Sequence, residues 1–329
     1  MATYKQIQGT AVQNYTNDPA NPVKGQLWYN DTANSFKYSS ISTTGSWSTG
    51  GDLNTARDDL GGAGIQTAAL GFGGFSPPYQ ALTESYDGTS WTEVNDLNTA
   101  RRTGGSNGTQ TSALYYGGQP TPTGSIITES WNGTSWTEVN DLNRNLAYYL
   151  AGAGADNTSA LAFGGGTDNP VPVTSETELW NGTSWTEVND LNTARAELAG
   201  AGIQTAALAF GGDLLPGSQA VTESWNGTSW TEVNDLNLGR DRLGGAGTQT
   251  SALAFGGFNA PDFQTFYTES WNGTSWSTGN NLNTGRGEVG SAGSSNTSSL
   301  AFGGATPSQT AATEEWGAGA IITKTITTS

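Results

Sequence analysis

Short runs of apolar and aromatic residues alternate with polar, turn-rich segments along most of the chain. In one unit the runs are Gly61 to Ile65, Ala68 to Gly74, Ala81 to Tyr86 and Ser90 to Asn95. Each falls within the four to eight residues typical of strands, is rich in β-forming residues and is bounded by turn residues. The pattern predicts four strands per unit and an all-β protein.

The same unit is repeated along the chain with small edits. Its second tryptophan recurs at intervals of roughly 45 residues, a period typical of repeat architectures, as Trp47, Trp91, Trp136, Trp185, Trp230 and Trp276. One such unit cannot bury its apolar face alone, so it needs its neighbours. We therefore expect one continuous body over residues 45–329, preceded by an N-terminal segment, residues 1–44, that contains a capping hairpin.

An Asn-Gly or Asp-Gly dipeptide separates the third run from the fourth in each complete unit. The dipeptides are Asp87-Gly88, Asn132-Gly133, Asn181-Gly182, Asn226-Gly227 and Asn272-Gly273. Such dipeptides supply the positive φ angles that a type I′ hairpin turn requires. The Asn-Gly-Thr triplets also match the N-glycosylation acceptor sequence, but turn geometry alone explains them.

Each unit carries an arginine, a glycine-rich run, an apolar run that ends in Gly-Gly, and a Glu-x-aromatic run followed by tryptophan. The Gly-Gly pairs are Gly73-Gly74, Gly117-Gly118, Gly164-Gly165, Gly211-Gly212, Gly256-Gly257 and Gly303-Gly304. This joint spacing resembles the kelch repeat, which implies a β-propeller. Where kelch motifs usually carry tyrosine, five units here carry tryptophan, as at Trp131, and only Tyr86 keeps the usual residue.

The count of runs predicts how the repeat closes. The last unit lacks a tryptophan-bearing fourth run after Trp316, and an isolated fourth run stands at Trp47. We therefore predict a six-bladed propeller of four-stranded antiparallel blades, closed by an N-terminal strand that removes exposed sheet edges. In an alternative arrangement Ile321 to Ile326 follows Trp316 as a fourth strand. Leu27 to Tyr29, Phe36 to Tyr38 and Trp47 would then build a seventh blade.

The N-terminal segment contains Gly25 to Asn30, with the sequence Gly-Gln-Leu-Trp-Tyr-Asn, followed by Ser35 to Tyr38. The two stretches predict short strands joined by a polar turn. The hairpin resembles Gly-x-Leu-Trp-Tyr-Asn hairpins common in bacteriophage tail and tail-fibre proteins, which implies a virion or extracellular-surface location. The other interpretation is that the hairpin only caps one end of the body.

Composition excludes several classes of function. Lysine and arginine total 12 against 29 acidic residues, a net charge of −17, so nucleic-acid phosphates and anionic membranes are unfavourable partners. The chain has no cysteine and no histidine, which removes thiol and imidazole chemistry and the usual zinc sites. We expect no cofactor and no metal. No apolar run reaches membrane-spanning length, and the N-terminus does not resemble a signal peptide.

The loops between the second and third runs differ from unit to unit, whereas the other turns are near copies. Tyr79, Phe258, Phe263 and Phe266 in these loops suit stacking on carbohydrate or contact with a protein. On the same face we expect five repeated arginines, Arg57, Arg101, Arg195, Arg240 and Arg286. The third unit has Leu146 instead, with Arg144 nearby.

The kelch resemblance implies that these arginines border a central pocket and bind acidic groups. Alternatively they pair with the repeated aspartates Asp52, Asp96, Asp141, Asp190 and Asp235, or cap carbonyl groups. The repeated glutamates Glu84, Glu129, Glu178, Glu223, Glu269 and Glu314 are interpreted as a packing device.

Together these features predict a non-enzymatic binding propeller, a phage or virion tail-associated or receptor-binding protein that recognises a host glycan or protein. One alternative is a structural scaffold that contacts other virion proteins. A second is a carbohydrate-active enzyme that uses carboxylates, which requires a carboxylate pair that breaks the repeat symmetry. The ligand and the oligomeric state are left open by the sequence.

Overall fold

The chain is all-β. The computed structural model describes residues 12–20, 26–41, 45–120, 123–144, 147–166, 173–214, 217–259, 264–317, 319 and 321–326. These described residues form seven four-stranded sheets and contain no helix. The chain divides into two compact units, residues 46–317 and residues 1–45 with 318–329.

The unit of residues 46–317 contains six sheets, each with four strands in the predicted order. The first strands are β5 (Gly61–Ile65), β9 (Gly105–Thr109), β13 (Ala151–Asp156), β17 (Ala199–Ile203), β21 (Gly244–Thr248) and β25 (Gly290–Ser295). The second strands are β6 (Ala68–Phe72), β10 (Ser112–Tyr116), β14 (Ser159–Phe163), β18 (Ala206–Phe210), β22 (Ser251–Phe255) and β26 (Ser298–Phe302).

The third strands are β7 (Thr83–Tyr86), β11 (Thr128–Trp131), β15 (Thr177–Trp180), β19 (Thr222–Trp225), β23 (Thr268–Trp271) and β27 (Thr313–Gly317). The fourth strands are β8 (Trp91–Val94), β12 (Trp136–Val139), β16 (Trp185–Val188), β20 (Trp230–Glu232), β24 (Trp276–Thr278) and β4 (Ser46–Thr49). We number the sheets 1 to 6 in the order of their first strands, so sheet 1 holds β5 to β8 and sheet 6 holds β25, β26, β27 and β4.

Sheet 6 is completed by the N-terminal strand β4, as predicted. Trp47 of β4 lies opposite Trp316 of β27 in an antiparallel register. The first strands also contact one another in a closed cycle, from β5 through β9, β13, β17, β21 and β25 back to β5. The two ends of the repeat array therefore meet within one unit.

The seventh sheet, which we call the terminal sheet, belongs to the other unit. It consists of β1 (Gln13–Tyr15), β2 (Leu27–Asn30), β3 (Ser35–Ile41) and β28 (Ile321–Thr325). The predicted hairpin is present as β2 and β3, and β1 joins it in parallel. Ile321 pairs with Ile41, so the C-terminal strand lies with the N-terminal segment and not with the repeats, which corrects the predicted boundary. Trp47 is not part of this sheet.

Tryptophan side chains join each sheet to the preceding one. The fourth-strand tryptophan packs on a second-strand aromatic ring of the preceding sheet, at centroid distances of 4.8–5.0 Å. Its Nε1 atom donates to a threonine Oγ1 of that sheet at 2.9–3.1 Å. Burial of such aromatic surface, worth roughly 25 cal/mol per Å², stabilises the stacking of neighbouring sheets.

The turns differ from the prediction in one respect. Gly133 has a φ of 91°, but Asn132 is not in the positive-φ region, so the turn is not type I′. The loop spans four residues because Trp131 pairs with Trp136. The Asn132 Oδ1 atom accepts hydrogen bonds from the amides of Thr134 and Ser135, both at 2.9 Å, which folds the loop.

Candidate functional site

The repeated arginines are buried inside the sheets. The side chains of Arg57, Arg101, Arg195, Arg240 and Arg286 have no exposed surface. Each forms an ion pair with a repeated glutamate, namely Glu84, Glu129, Glu223, Glu269 or Glu314. The expectation that these guanidinium groups border an open pocket is therefore wrong, because their charge is satisfied in the interior.

The link between sheets 3 and 4 shows how the repeat uses these residues. Glu223 Oε1 accepts from Arg195 Nη1 at 2.6 Å, and its Oε2 accepts from the amide and the Nδ2 of Asn192 at 2.7 and 2.8 Å. Asp190 does not pair with the arginine, since its Oδ1 accepts from the Thr177 amide of sheet 3. The glutamates thus act in packing by pairing with the buried arginines, and the aspartates accept hydrogen bonds from the preceding sheet.

In sheet 3, which lacks the repeated arginine, Arg144 from a neighbouring position makes the equivalent contacts. Arg144 Nε donates to Glu178 Oε1 at 2.9 Å and its Nη1 donates to the Gly164 carbonyl at 2.8 Å. Arg144 thereby performs the pairing of the missing arginine, whereas Leu146 lies outside the described residues.

A second set of equivalent residues lies two positions after the arginine in five repeats, and at Tyr149 in the third repeat, which lacks that arginine. Its members, which we call the rim ring, are Asp59, Thr103, Tyr149, Glu197, Arg242 and Glu288. All six have left-handed backbone conformations, with φ between 49° and 59°. The amide of each donates to the carbonyl of the preceding member at 2.7–3.0 Å, and the amide of Asp59 closes the circle on Glu288. This conformation costs non-glycine residues roughly 1–2 kcal/mol each.

The rim ring surrounds a cavity of about 110 Å³, which we call the rim pocket. Below the polar ring, the pocket wall is apolar and consists of Leu60, Leu150, Leu198, Leu243 and Val289, with Gly104 at the sixth position. The same apolar residues other than Leu60 also line a larger cavity of about 210 Å³ between the first strands. The rim pocket is therefore the polar entrance to a cavity on the axis of the six sheets.

Two arginines, Arg102 next to the rim ring and Arg242 within it, lie on aromatic rings, three of which belong to variable loops. The Arg102 guanidinium is 4.8 Å from the Phe75 ring centroid and 5.4 Å from that of Tyr79. Arg242 lies 5.6 Å from the Tyr149 centroid and 5.4 Å from that of Phe258. These contacts hold both cations beside the rim pocket.

The same arginines bind rim carboxylates. Arg102 Nη1 is 3.1 Å from Asp59 Oδ2. Arg242 contacts Glu197 at 2.9 Å and Glu288 at 2.8 Å. Each arginine thus contacts both a carboxylate and aromatic rings, a combination that suits polar ligands with an apolar face.

Three carboxylates meet where sheet 6 adjoins sheet 1. Asp58, Asp59 and Glu288 each place an oxygen within 4.8 Å of the others. Burial, and next the charge of Glu288, raise the pKa of Asp58 to about 6. The same two causes raise the pKa of Asp59 well above its ordinary value. A second group, Glu197, Asp213 and Asp241, meets where sheet 4 adjoins sheet 5, with Glu197 and Asp241 at the positions equivalent to Glu288 and Asp58.

The predicted loop aromatics fall into three groups. Tyr79 and Phe258 lie beside the rim through their contacts with the arginines. Phe266 is 45% exposed and packs on Tyr267, with ring centroids 5.2 Å apart. Phe263 lies outside the described residues. Two of the predicted loop aromatics thus lie beside the rim ring, which the sequence analysis did not identify and whose signal was a position at which the repeats differ.

Comparison with known proteins adds no family assignment. No protein-family model matches the chain, and no curated protein sequence matches it. Within the described residues, no helix has the length and apolar character needed to cross a bilayer.

Proposed function

We propose that residues 46–317 form a six-bladed, kelch-like β-propeller. Two observations support this count: the closed cycle of contacts among the six first strands and the closed cycle of backbone hydrogen bonds in the rim ring. The terminal sheet stands outside both cycles, and its parallel pair β1 and β2 differs from the antiparallel sheets 1 to 6.

We propose that the protein is a non-enzymatic binding module that recognises a host-surface glycan or protein through its rim face. The observation that carries this proposal is the rim ring, where equivalent positions share one strained backbone conformation yet carry five different types of side chain. Backbone strain that recurs at one site of a fold favours a functional role over a packing role. The arginine and aromatic groups around the rim supply polar and stacking contacts for such a ligand.

The location on a virion is part of the same proposal. It rests on the resemblance of the β2–β3 hairpin segment to those of phage tail proteins. The rim face and the hairpin lie in different compact units, so binding and attachment are assigned to separate parts of the chain. A scaffold that contacts other virion proteins is the alternative use of the same face.

Binding to bacterial cells and to a glycan array tests the proposal. We expect the wild-type protein to bind and the double variant Tyr149→Ala, Arg242→Ala to lose at least about tenfold in affinity, the equivalent of 1.4 kcal/mol. Phe36→Ala is the matched control, because Phe36 is an exposed aromatic residue, 47% accessible, in the other unit. Equal binding by the wild type and the double variant would refute the rim as the recognition site.

A second candidate function follows from the grouped carboxylates of Asp58, Asp59 and Glu288, of which Asp59 and Glu288 line the rim pocket. A carboxyl whose pKa is raised by burial, beside a second carboxylate, is the arrangement that glycoside hydrolysis uses. Mass spectrometry of glycans after incubation with the protein separates the two candidates. Cleavage that Asp59→Asn abolishes would favour the enzyme, whereas binding without any product favours the binding module.

A further inference from the structure

We propose that the rim pocket receives the N-acetyl group of a neutral amino sugar. This inference deepens the proposed binding function and rests on it, since it names the chemical class of the group that the rim recognises. The features that point to this group are the order of polar and apolar surfaces along the pocket, the hydrogen-bonding partners on opposite sides of the rim ring, and the charge around it.

The pocket is polar at its mouth and apolar further in. The rim-ring residues at the mouth are half-buried, except for the buried Thr103, and each is followed in the chain by a residue of the pocket wall. The leucine and valine residues of that wall are no more than 9% exposed. All of them except Leu60 also line the larger cavity of about 210 Å³ below. A ligand that enters from solvent therefore has to place an apolar tip against the wall and polar atoms at the rim.

An N-acetyl group has this order of atoms along its length. Its methyl group is trans to the sugar carbon across the planar amide bond, so the methyl points away from the sugar. With the methyl against the apolar wall, the amide lies at the level of the rim ring and the sugar ring stays outside, where it can be joined to a longer glycan. The rim pocket, about 110 Å³ in volume, is well below the roughly 300–1,000 Å³ of pockets that enclose a whole ligand, so it admits one such group.

The rim ring offers partners to both sides of that amide. The C=O and N–H bonds of a trans amide point in opposite directions, and Arg242 and Thr103 are opposite members of the six-residue ring. Arg242 contacts Glu197 and Glu288 through Nε and Nη1, at 2.9 and 2.8 Å, whereas its Nη2 atom has no hydrogen bond among the described residues. We expect this Nη2 atom to donate to the acetyl oxygen. On the other side of the pocket, Thr103 Oγ1 donates its proton to the Arg102 carbonyl and can accept from the amide N–H.

The polar rim favours a sugar over an acetylated lysine side chain, which carries the same acyl group. The lysine stem would place CH₂ groups beside the rim carboxylates and offer them no hydrogen bond. The hydroxyl groups of a sugar ring lie next to its acetamido group and can donate to those carboxylates, which belong to Asp59, Glu197 and Glu288. Tyr79 and Phe258, which lie beside the rim, add aromatic surface for the sugar ring.

The charge around the rim favours a neutral sugar over an acidic one. The basic side chains there are Arg102 and Arg242. The acidic side chains gathered at the same place are Asp58, Asp59, Glu197, Asp213, Asp241 and Glu288. Because acidic groups outnumber basic ones, electrostatic repulsion disfavours sugars that carry a carboxylate. A free amino sugar would be attracted by the same charge but has no methyl group for the apolar wall, so it separates acyl recognition from electrostatic attraction.

The test titrates the full chain with the methyl glycosides of N-acetylglucosamine and N-acetylgalactosamine. Each is compared with its free-amine form and with the sugar that carries a hydroxyl in place of the acetamido group. Calorimetry measures affinity, and methyl NMR of the leucine and valine residues of the wall locates the bound group. We expect at least one N-acetyl sugar to bind saturably at the wall, and its free-amine and hydroxyl forms to bind at least about tenfold more weakly.

Two leucines of one core cluster provide matched variants. Leu198 lines the rim pocket, whereas Leu191 belongs to the same buried cluster but lines neither axial cavity. Leu198→Ala enlarges the pocket, so it should shift the preference from N-acetyl towards N-butanoyl glucosamine by about tenfold. Leu191→Ala removes the same atoms and should leave the acyl preference unchanged. Arg242→Lys keeps the charge but lacks the Nη2 donor, so it should weaken N-acetyl sugar binding by about tenfold.

Several outcomes would overturn the proposal. They are a lack of binding by both N-acetyl sugars, equal or tighter binding of the free amines, and an unchanged acyl preference in folded Leu198→Ala. Tighter binding of an acetyl-lysine peptide than of both sugars at the same methyl groups would also overturn it, in favour of a protein ligand. If both N-acetyl sugars fail to bind but the Tyr149→Ala, Arg242→Ala variant still loses cell binding, only the ligand class is wrong and the proposed function stands.

Discussion

Replacing Glu223 with glutamine should destabilise the unit of residues 46–317 far more than the loss of one negative charge alone would suggest. Glu223 and Arg195 have no exposed side-chain surface, and the carboxylate accepts from Arg195 Nη1, the Thr193 amide and both nitrogen donors of Asn192. Glutamine places an NH₂ donor against one of these donors and leaves Arg195 as an uncompensated buried cation. Breaking one partner of a buried pair costs about 3–5 kcal/mol.

Equilibrium unfolding in urea, followed by tryptophan fluorescence and far-UV circular dichroism, measures this loss. A cost of about 4 kcal/mol corresponds to nearly a thousandfold change in the folding equilibrium and roughly 10 °C in Tm. Glu232→Gln is the matched control because Glu232 lies opposite Glu223 on β20 but is exposed, so it should change stability by less than about 0.5 kcal/mol. Equal midpoints for Glu223→Gln and Glu232→Gln would refute the argument that the buried pair joins sheets 3 and 4.

Three further predictions follow from single positions. Trp136→Phe keeps an aromatic ring but loses part of its surface and the indole hydrogen bond to Thr83 of the neighbouring sheet, so urea unfolding should show a loss of about 1 kcal/mol or more. Gly73→Ala should cost at least about 1 kcal/mol in the same assay, since the φ of Gly73 is 64° and the new Cβ would lie 2.6 Å from the Arg101 carbonyl. Gly317→Ala is the control and should be nearly neutral, because no atom lies within 4 Å of its new Cβ. Burial raises the pKa of Asp58 to about 6, so the folded state holds its proton more tightly than the unfolded state. That contribution to stability is lost as pH rises from about 4 to about 6, and Asp58→Asn should gain stability relative to wild type over this range; a constant difference would contradict the shift.

The sequence alone determined the strands and their order in each repeat. It also determined that β4, which precedes the first complete repeat, pairs with the last sheet. These features are encoded locally, by apolar runs, by turn residues and by tryptophans at fixed spacing, and every repeat restates them. Trp47 was assigned to sheet 6 because it matches the repeat, and it does pair with Trp316.

Tertiary structure alone decided where the charges lie. The sequence presents a periodic arginine, but its burial depends on a glutamate 28 residues later in the chain, as for Arg195 and Glu223. Likewise Gly104 stands where the other pocket positions carry leucine or valine, because a Cβ there would lie 2.6 Å from the Tyr115 ring, which belongs to β10, the second strand of the same sheet.

The rim ring is the clearest case of a feature that emerges only on closure. Its left-handed residues are compatible with many local sequences, and they become a ring only when the amide of Asp59 meets the carbonyl of Glu288, contributed by sheets at opposite ends of the array. At Asp58, Asp59 and Glu288, burial and mutual repulsion of the carboxylates depend on the same closure, because charges interact through space and not along the chain. Repetition therefore specified the fold, and the meeting of its ends created the candidate site.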